Sequence, residues 1–259
     1  MKNKFFGDIR DYRKYGLLRI LSGGKRASAA ICWMLTPDGR LATKTDYLFR
    51  DKTWHHNTCW HFDERLFDAL HRAVIVDRER IVVRAEHPDI LDPSVFCFHK
   101  ELLRDAVNKR RECFHRFLDS CEGRDLIFFD PDNGLEVKSV PAGRKGSSRY
   151  LYYDELARAF NRGHSILVFQ FFMMKVPEDV INERTDQIFD RLDVDRIACF
   201  KTPAVVFFLI PQPKHLDEMK QRSEQIGRVW GKQLEPVWRS RTGTNRGTKT
   251  GRRERARRR

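Results

Sequence analysis

The sequence predicts a doubly wound α/β domain: a mostly parallel, Rossmann-like sheet that ends in an antiparallel hairpin. Three observations lead there. Short apolar runs alternate with segments of helical period through most of the chain, the pattern of strand-helix-strand units. The run Asp125-Leu126-Ile127-Phe128-Phe129 is strongly apolar and stops abruptly at Asp130-Pro131-Asp132-Asn133-Gly134. The last two apolar runs, 196–200 and 204–210, are separated only by Lys201-Thr202-Pro203. A parallel crossover needs a dozen residues or more, so this connection is a hairpin.

Asp8 is placed to cap a first helix with Asp11 at its third position, and Ile9, Tyr12, Gly16, Leu17, Ile20 and Leu21 recur at helical spacing. Ser22-Gly23-Gly24 ends that helix. Residues 29–35 read as a buried strand, bounded by Thr36-Pro37-Asp38-Gly39. Residues 44–61 show no period and read as a long loop; residues 63–73 carry Leu66, Phe67 and Leu70 on one helical face. Residues 80–86 and 94–98 are predicted strands, 102–118 a helix, and 125–129 the strand leading into Asp130. Helix 153–160, strand 165–172, helix 178–192, the hairpin, and a helix over 216–227 complete the domain. One domain over 1–238 followed by a disordered basic tail over 239–259 is the expected organisation.

The chain has 259 residues, 41% of them hydrophobic and 19 of them Phe. That is ample for a packed core and excludes global disorder. Its formal charge is +14, but the segment from Arg239 to Arg259 carries ten Lys/Arg and one acid, so nine of those charges sit in the tail. Arg252, Arg253, Arg255, Arg257, Arg258 and Arg259 are the candidate phosphate contacts there, and nucleic acid is the expected partner. The six cysteines form no C-x-x-C pair, so spacing predicts neither a zinc site nor a disulfide framework. His55, His56, Cys59 and His61 cluster without matching a known metal-ligand spacing. Lys2, Lys4, Asp8 and Arg10 interrupt any apolar leader, and no run reaches the ~20 apolar residues of a membrane helix. A cytoplasmic protein is the expectation. No feature sets an oligomeric state.

Ligands bind at the carboxyl ends of strands in doubly wound sheets, and Asp130 falls at such an end. Pro131 restrains the backbone, Gly134 permits a left-handed turn, and Asp130, Asp132 and Asn133 bring oxygen-bearing side chains to one mouth. Asp, Asn and Gly also favour turns for backbone reasons alone. Asp11 and Lys14, three apart on the first helix, can pair on one face.

The strand order with its terminal hairpin resembles the class I S-adenosylmethionine-dependent methyltransferase fold, over about residues 8 to 226. The Asp130-Pro131-Asp132-Asn133 segment is similar in position to the Asp-Pro-Pro-Tyr motif of amino-group methyltransferases; Asp132 stands for the second proline and Asn133 for the aromatic. Gly7-Asp8-Ile9-Arg10-Asp11-Tyr12-Arg13-Lys14-Tyr15 resembles the Gly-Asn-x-x-Asp-x-x-Lys-His opening of the bacterial large-subunit ribosomal RNA adenine-N6 methyltransferases, with Gly7, Asp11 and Lys14 in register. The resemblance implies that Asp130 and Pro131 accept hydrogen bonds from a target amine while Asp132 and Asn133 shape the pocket. It further implies that Lys14 lies beside S-adenosylmethionine and that Glu86 binds the cofactor's ribose. The glycine-rich cofactor loop is absent: Thr36-Pro37-Asp38-Gly39-Arg40 follows the first strand.

Two other classes fit the same residues. Asp130, Asp132 and Glu136, joined by Asp8 or Asp11, would ligate Mg²⁺ in a nuclease or phosphoesterase. A non-catalytic nucleic-acid-binding protein on a degenerate enzyme fold would use the Asp130 turn structurally. No Gly-x-Ser-x-Gly or Ser-His-Asp pattern stands out in the sequence.

Overall fold

A computed structural model describes residues 1–23, 28–38, 59–98 and 101–241. Its centre is a seven-stranded, mostly parallel sheet. In chain order the elements are α1 (Ile9–Leu21), β1 (Ala29–Cys32), α2 (Glu64–His71), β2 (Phe96–Phe98), α3 (Val107–Asp119) and β3 (Leu126–Phe129). Two short strands follow, β4 (Gly134–Leu135) and β5 (Tyr150–Leu151), then α4 (Tyr153–Asn161), β6 (Ser165–Phe171) and α5 (Pro177–Arg191). The hairpin β7 (Arg196–Lys201) and β8 (Val205–Ile210), α6 (Leu216–Trp230) and β9 (Pro236–Ser240) close the chain. The sheet order is β2-β1-β3-β6-β8-β7-β9, with β4 and β5 paired separately. Strands β2, β1, β3 and β6 pair in parallel, and β8 then inserts antiparallel between β6 and β7.

The central strands are buried on both faces, and their residues alternate between two cores as a period of two requires. Ile31, Phe128, Leu167, Phe207 and Leu209 face one core with residues of α1, α2 and α6. Cys32, Phe129, Val168, Phe208 and Ile210 face the other with residues of α3, α4 and α5. Helices therefore cover both faces, a Rossmann-like α/β arrangement.

Helix α1 departs from an ordinary amphipathic helix. Asp8 caps it as expected, accepting from the N–H of Arg10 and Asp11. Yet Asp11, Arg13 and Lys14 are buried along with Tyr12, Tyr15, Leu17, Leu18 and Leu21, because α2, α6 and the sheet enclose it. At Gly16 a Cβ would lie 1.9 Å from the Trp230 ring of α6, so that crossing requires glycine.

Several expectations are corrected. Residues 80–86 are not a strand: Val82–Glu86 is a 3-10 turn in which Val82 and Ala85, three apart, are buried. Ile81 and Val83 are exposed instead, so the apolar run never gains the neighbour that would make it a strand. The second parallel strand is Phe96–Phe98. Helix α3 starts at Val107 rather than Leu102. Arg239 and Ser240, assigned to the tail, belong to β9 and pair with Ile197 and Arg196; Val237-Trp238, flanked by Glu235-Pro236 and Arg239, is too short a run to flag a strand. Arg252, Arg253, Arg255, Arg257, Arg258 and Arg259, and the His55-His56 pair, lie outside the described residues. The six cysteines are free thiols, and among the described residues no helix is long and apolar enough to cross a membrane.

Candidate functional site

The carboxyl ends of β3 and β6 and the amino end of α1 meet at one cavity of about 330 Å³, lined by Lys14, Asp130, Pro131, Asp132 and Asn133 among others. The topology explains the convergence. Parallel neighbours β3 and β6 end at the same edge of the sheet, and the residues before α1 run across that edge. Asp130 through Asn133 and Lys14 thus share one site, as expected from sequence.

At its floor is a buried three-group ion cluster. Lys14 Nζ lies 2.7 Å from Asp11 Oδ1 and 2.7 Å from Asp130 Oδ2, and all three residues are 2% exposed. The rings of Tyr15, Trp33 and Phe169 stand 5.9, 5.7 and 5.8 Å from the same ammonium, within cation-π range. Asp11 Oδ2 also accepts from the Gly7 N–H at 2.9 Å. Burial pushes the carboxyls of Asp11 and Asp130 up, against the pull of Lys14. Burial alone would discharge Lys14, but the two carboxylates outweigh it and hold its pKa above the usual value. Loss of water is the main reason both acids resist ionisation, and a neighbouring carboxylate adds to it in each case, Asp8 beside Asp11 and Asp11 beside Asp130.

Asp132 is the opposite case. It receives the Lys2 ammonium at 2.5 Å, the Met1 amino group at 3.0 Å and the Thr36 hydroxyl at 2.6 Å. Burial opposes its ionisation, yet these donors prevail and hold its carboxyl down at about 2. Asp8 likewise holds Arg10 through Nε at 2.8 Å, and the Arg10 guanidinium lies 5.1 Å from the Phe171 ring.

What the cluster leaves unused is informative. Asp130 spends Oδ2 on Lys14, and among the described residues nothing donates to its Oδ1 or to the Pro131 carbonyl. Two acceptors thus belong to residues lining one cavity without protein donors. Apolar walls come from Phe5, Phe169, Phe171 and Met173. Met173 and Met174 both adopt left-handed conformations, with φ of 48° and 60°. Such backbone is costly outside glycine and concentrates at functional sites. Gly134, at φ 107°, is required twice over, since a Cβ there would lie 2.4 Å from the Gln170 side chain. That side chain accepts from the Leu135 N–H at 2.8 Å and so fixes the turn.

Two predicted members are not brought here. Glu86 lies in the 3-10 turn after Ile81, exposed and outside the cavity lining, because the strand meant to deliver it does not form. Glu136 is three residues past Asn133 and lines a different groove, accepting from the Tyr153 N–H at 3.3 Å; burial raises its carboxyl. The carboxylate set Asp130, Asp132 and Glu136 is therefore not assembled, and the first two already hold ammonium groups. Among the described residues no three His, Cys, Asp or Glu side chains are grouped for a metal.

Sequence reasoning missed Lys2, Thr36, Arg10, Phe169 and Phe171. The two phenylalanines carried a usable signal, since they end an apolar strand at the edge where ligands bind. Lys2 and Thr36 carried none, as their roles depend on contacts 130 and 96 residues distant. It also missed a polar cluster at the amino ends of β3 and β6. There Ser165 Oγ lies 2.9 Å from His215 Nδ1, and His215 Nε2 lies 3.3 Å from Asp125 Oδ1. Ser165 is fully buried and its hydroxyl accepts from the Gln212 N–H at 3.0 Å, so this serine is sealed away from any substrate.

No protein-family model matches the chain, and no curated protein matches it. Among solved structures, it aligns with protein LPL1258 from Legionella pneumophila str. Philadelphia 1 (family-model DUF519) at 12% identity, covering 93% of this chain and 98% of that one, with a TM-score of 0.37. A likeness this distant says nothing of function.

Proposed function

We propose that this chain is a methyltransferase-like protein whose rim site receives the exocyclic amino group of a nucleic-acid base. The observation that carries the reading is the pair of acceptors without protein donors, Asp130 Oδ1 and the Pro131 carbonyl, on residues lining one cavity. An amino group has two protons to donate and would satisfy both. A ligand that covers these acceptors without supplying a donor takes them from water at a cost of about 1–3 kcal/mol, so a ligand lacking the amine is disfavoured by that amount. Phe5, Phe169 and Phe171 offer the apolar surface that Asn133 does not. The mostly parallel sheet carrying the antiparallel β8-β7 pair, with β9 added at its edge, is consistent with the class I methyltransferase resemblance.

S-adenosylmethionine is the methyl donor this reading implies, and the described residues fit only the acceptor half of such a reaction. Glu86 does not reach the cavity. The segment after β1 is occupied by the chain itself, with the Met1 amino group 3.3 Å from the Met34 carbonyl and the Thr36 N–H 3.0 Å from the Met1 carbonyl. Lys14 is fully engaged by Asp11 and Asp130. This incomplete cofactor half favours a second reading, a non-catalytic nucleic-acid-binding protein using the same acceptors.

Calorimetry with adenosine, inosine and S-adenosylmethionine tests both. Adenosine is expected to bind at least about ten-fold (~1.4 kcal/mol) more tightly than inosine, which lacks the amine. Asp130→Asn is expected to erase the difference. Equal affinities for the two nucleosides would end the amine reading. S-adenosylmethionine binding would favour catalysis, and its absence beside adenosine binding would favour the binding protein.

A further inference from the structure

A second concavity, about 740 Å³, lies between α3 and α4 on the face of the sheet opposite α1. Its lining carries five arginines and no lysine against three acids, Glu136, Asp154 and Glu155. The arginines do different things. Arg110 is structural: it holds Glu155 through Nε at 2.5 Å and Nη2 at 2.7 Å, and donates to the Ser147 and Tyr150 carbonyls at 3.2 and 2.6 Å. Glu155 is thereby neutralised. Arg162 shares Asp119 at 2.8 Å, in the open. Arg191 lies over the Tyr153 ring at 5.7 Å. Arg111 and Arg158 line the groove from facing helices, are exposed, and have no ion-pair partner among the described residues.

The spacing on both helices is regular. Arg111 and His115 are four apart on α3 and lie on one helical face; Arg158 on α4 is followed four residues later by Arg162, the residue that caps the helix's carboxyl end. Phe114 and Tyr152 line the groove between them. Both rings are buried beneath the Arg110 guanidinium, 5.2 and 4.9 Å away, so the groove presents exposed arginine forks, whose geometry suits phosphates. Asn133 lines the rim cavity and Glu136 this groove, and three residues of chain can separate them by at most roughly 10 Å.

We infer that the groove between α3 and α4 carries the sugar-phosphate backbone of a single nucleic-acid strand, one base of which turns into the rim cavity. This rests on the reading that the cavity receives a nucleic-acid base, and it names the surface that would hold the strand, independently of the basic tail. Arg111 and Arg158 would contact phosphates, Arg191 and Arg162 would supply the surrounding positive field, and the pairing of Arg110 with Glu155 would tie the two helices together at a fixed spacing.

The test is fluorescence anisotropy of the full chain with a single-stranded RNA of about 12 nucleotides, titrated over a salt series. The double variant Arg111→Ala/Arg158→Ala is expected to bind about ten-fold more weakly and to flatten the log-log salt slope by about 1.4, or ~0.7 per lost phosphate contact on a single strand. Arg228→Ala/Lys232→Ala removes the same charge from exposed residues of α6 and the turn after it and is expected to change little. Equal weakening in both double variants, or RNA affinity unchanged in the first, would overturn the groove. So would binding of an acidic peptide in place of RNA, which would mark a protein-docking surface. Adenosine calorimetry separates the two readings. If RNA affinity falls in the groove variant while adenosine never binds, the groove stands and the base reading falls.

Discussion

The two ends of the same sheet hold polar clusters of similar make-up and opposite character. At the amino ends of β3 and β6, Ser165, His215, Asp125 and the Gln212 N–H form a chain in which each group has a partner. The serine accepts from Gln212 and directs its own proton to His215 Nδ1, which puts the imidazole proton on Nε2, toward Asp125. At the carboxyl ends, Asp11, Lys14 and Asp130 are more deeply buried and carry a surplus acid and an unused acceptor. A chain in which every group has a partner fixes a fold. A charged cluster with unused acceptors beside a cavity is a poor way to stabilise a core and a good way to recognise a donor.

The sharpest test of the contrast is Lys14→Met. It leaves Asp11 and Asp130 buried without the ammonium they share, and an uncompensated buried charge costs about 3–5 kcal/mol. Chemical denaturation should show a loss of that order, and adding Asp11→Asn should recover a substantial part of it. A loss below about 1 kcal/mol would mean that the rim cluster is no more charged in practice than the one at the base.

Gly134→Ala comes next. It forces a side chain into left-handed backbone and against Gln170, with an expected loss of about 1–3 kcal/mol. The Asp130 turn should move with it, so adenosine affinity should fall too; weakened folding with intact affinity would detach the turn from the site.

Asp132 gives an acid signature to the rim alone. Its carboxyl titrates near 4 in an unfolded chain and at about 2 here. Its contribution is therefore complete above pH ~4 and is lost as pH falls toward 2, amounting to about 2 kcal/mol. Asp132→Asn should remove that part of the acid-unfolding curve; an unchanged curve would contradict the Lys2 and Met1 contacts.

His215 yields the smallest effect and belongs to the base. Burial lowers its pKa, against the pull of Asp125. The neutral ring's contribution is present above the unfolded value of ~6.5 and fades as pH falls below it. An NMR titration of the ring protons should give a midpoint below that value, and one above it would make this end ionic as well.

Much of this was legible in the residues. The unbroken apolar runs Leu126 to Phe129 and Val205 to Ile210 announced buried strands, and Lys201-Thr202-Pro203 announced the hairpin. Asp130-Pro131 could be placed at a ligand-binding edge from order alone. The failures share a cause. Ile81-Val82-Val83 has the composition of a strand, but β2 forms from Phe96–Phe98 and takes the position beside β1, so Glu86 never reaches a rim. Strand β9 was invisible because a short polar-flanked edge strand has little pattern of its own.

The sequence by itself determined the alternation of elements, the two-sided burial of the sheet and the approach of Asp130 to an open edge, since these follow from periodicities of 2 and 3.6 and from connection lengths. Only the tertiary structure decided which charges meet. Lys14 was free to pair on its own helix turn, and its second carboxylate came from 116 positions away. Glu136, three residues beyond Asn133, went to another surface entirely. Coulombic partners in a low-dielectric interior are set by distances in space, and local spacing fixes those distances only within a single helix or strand.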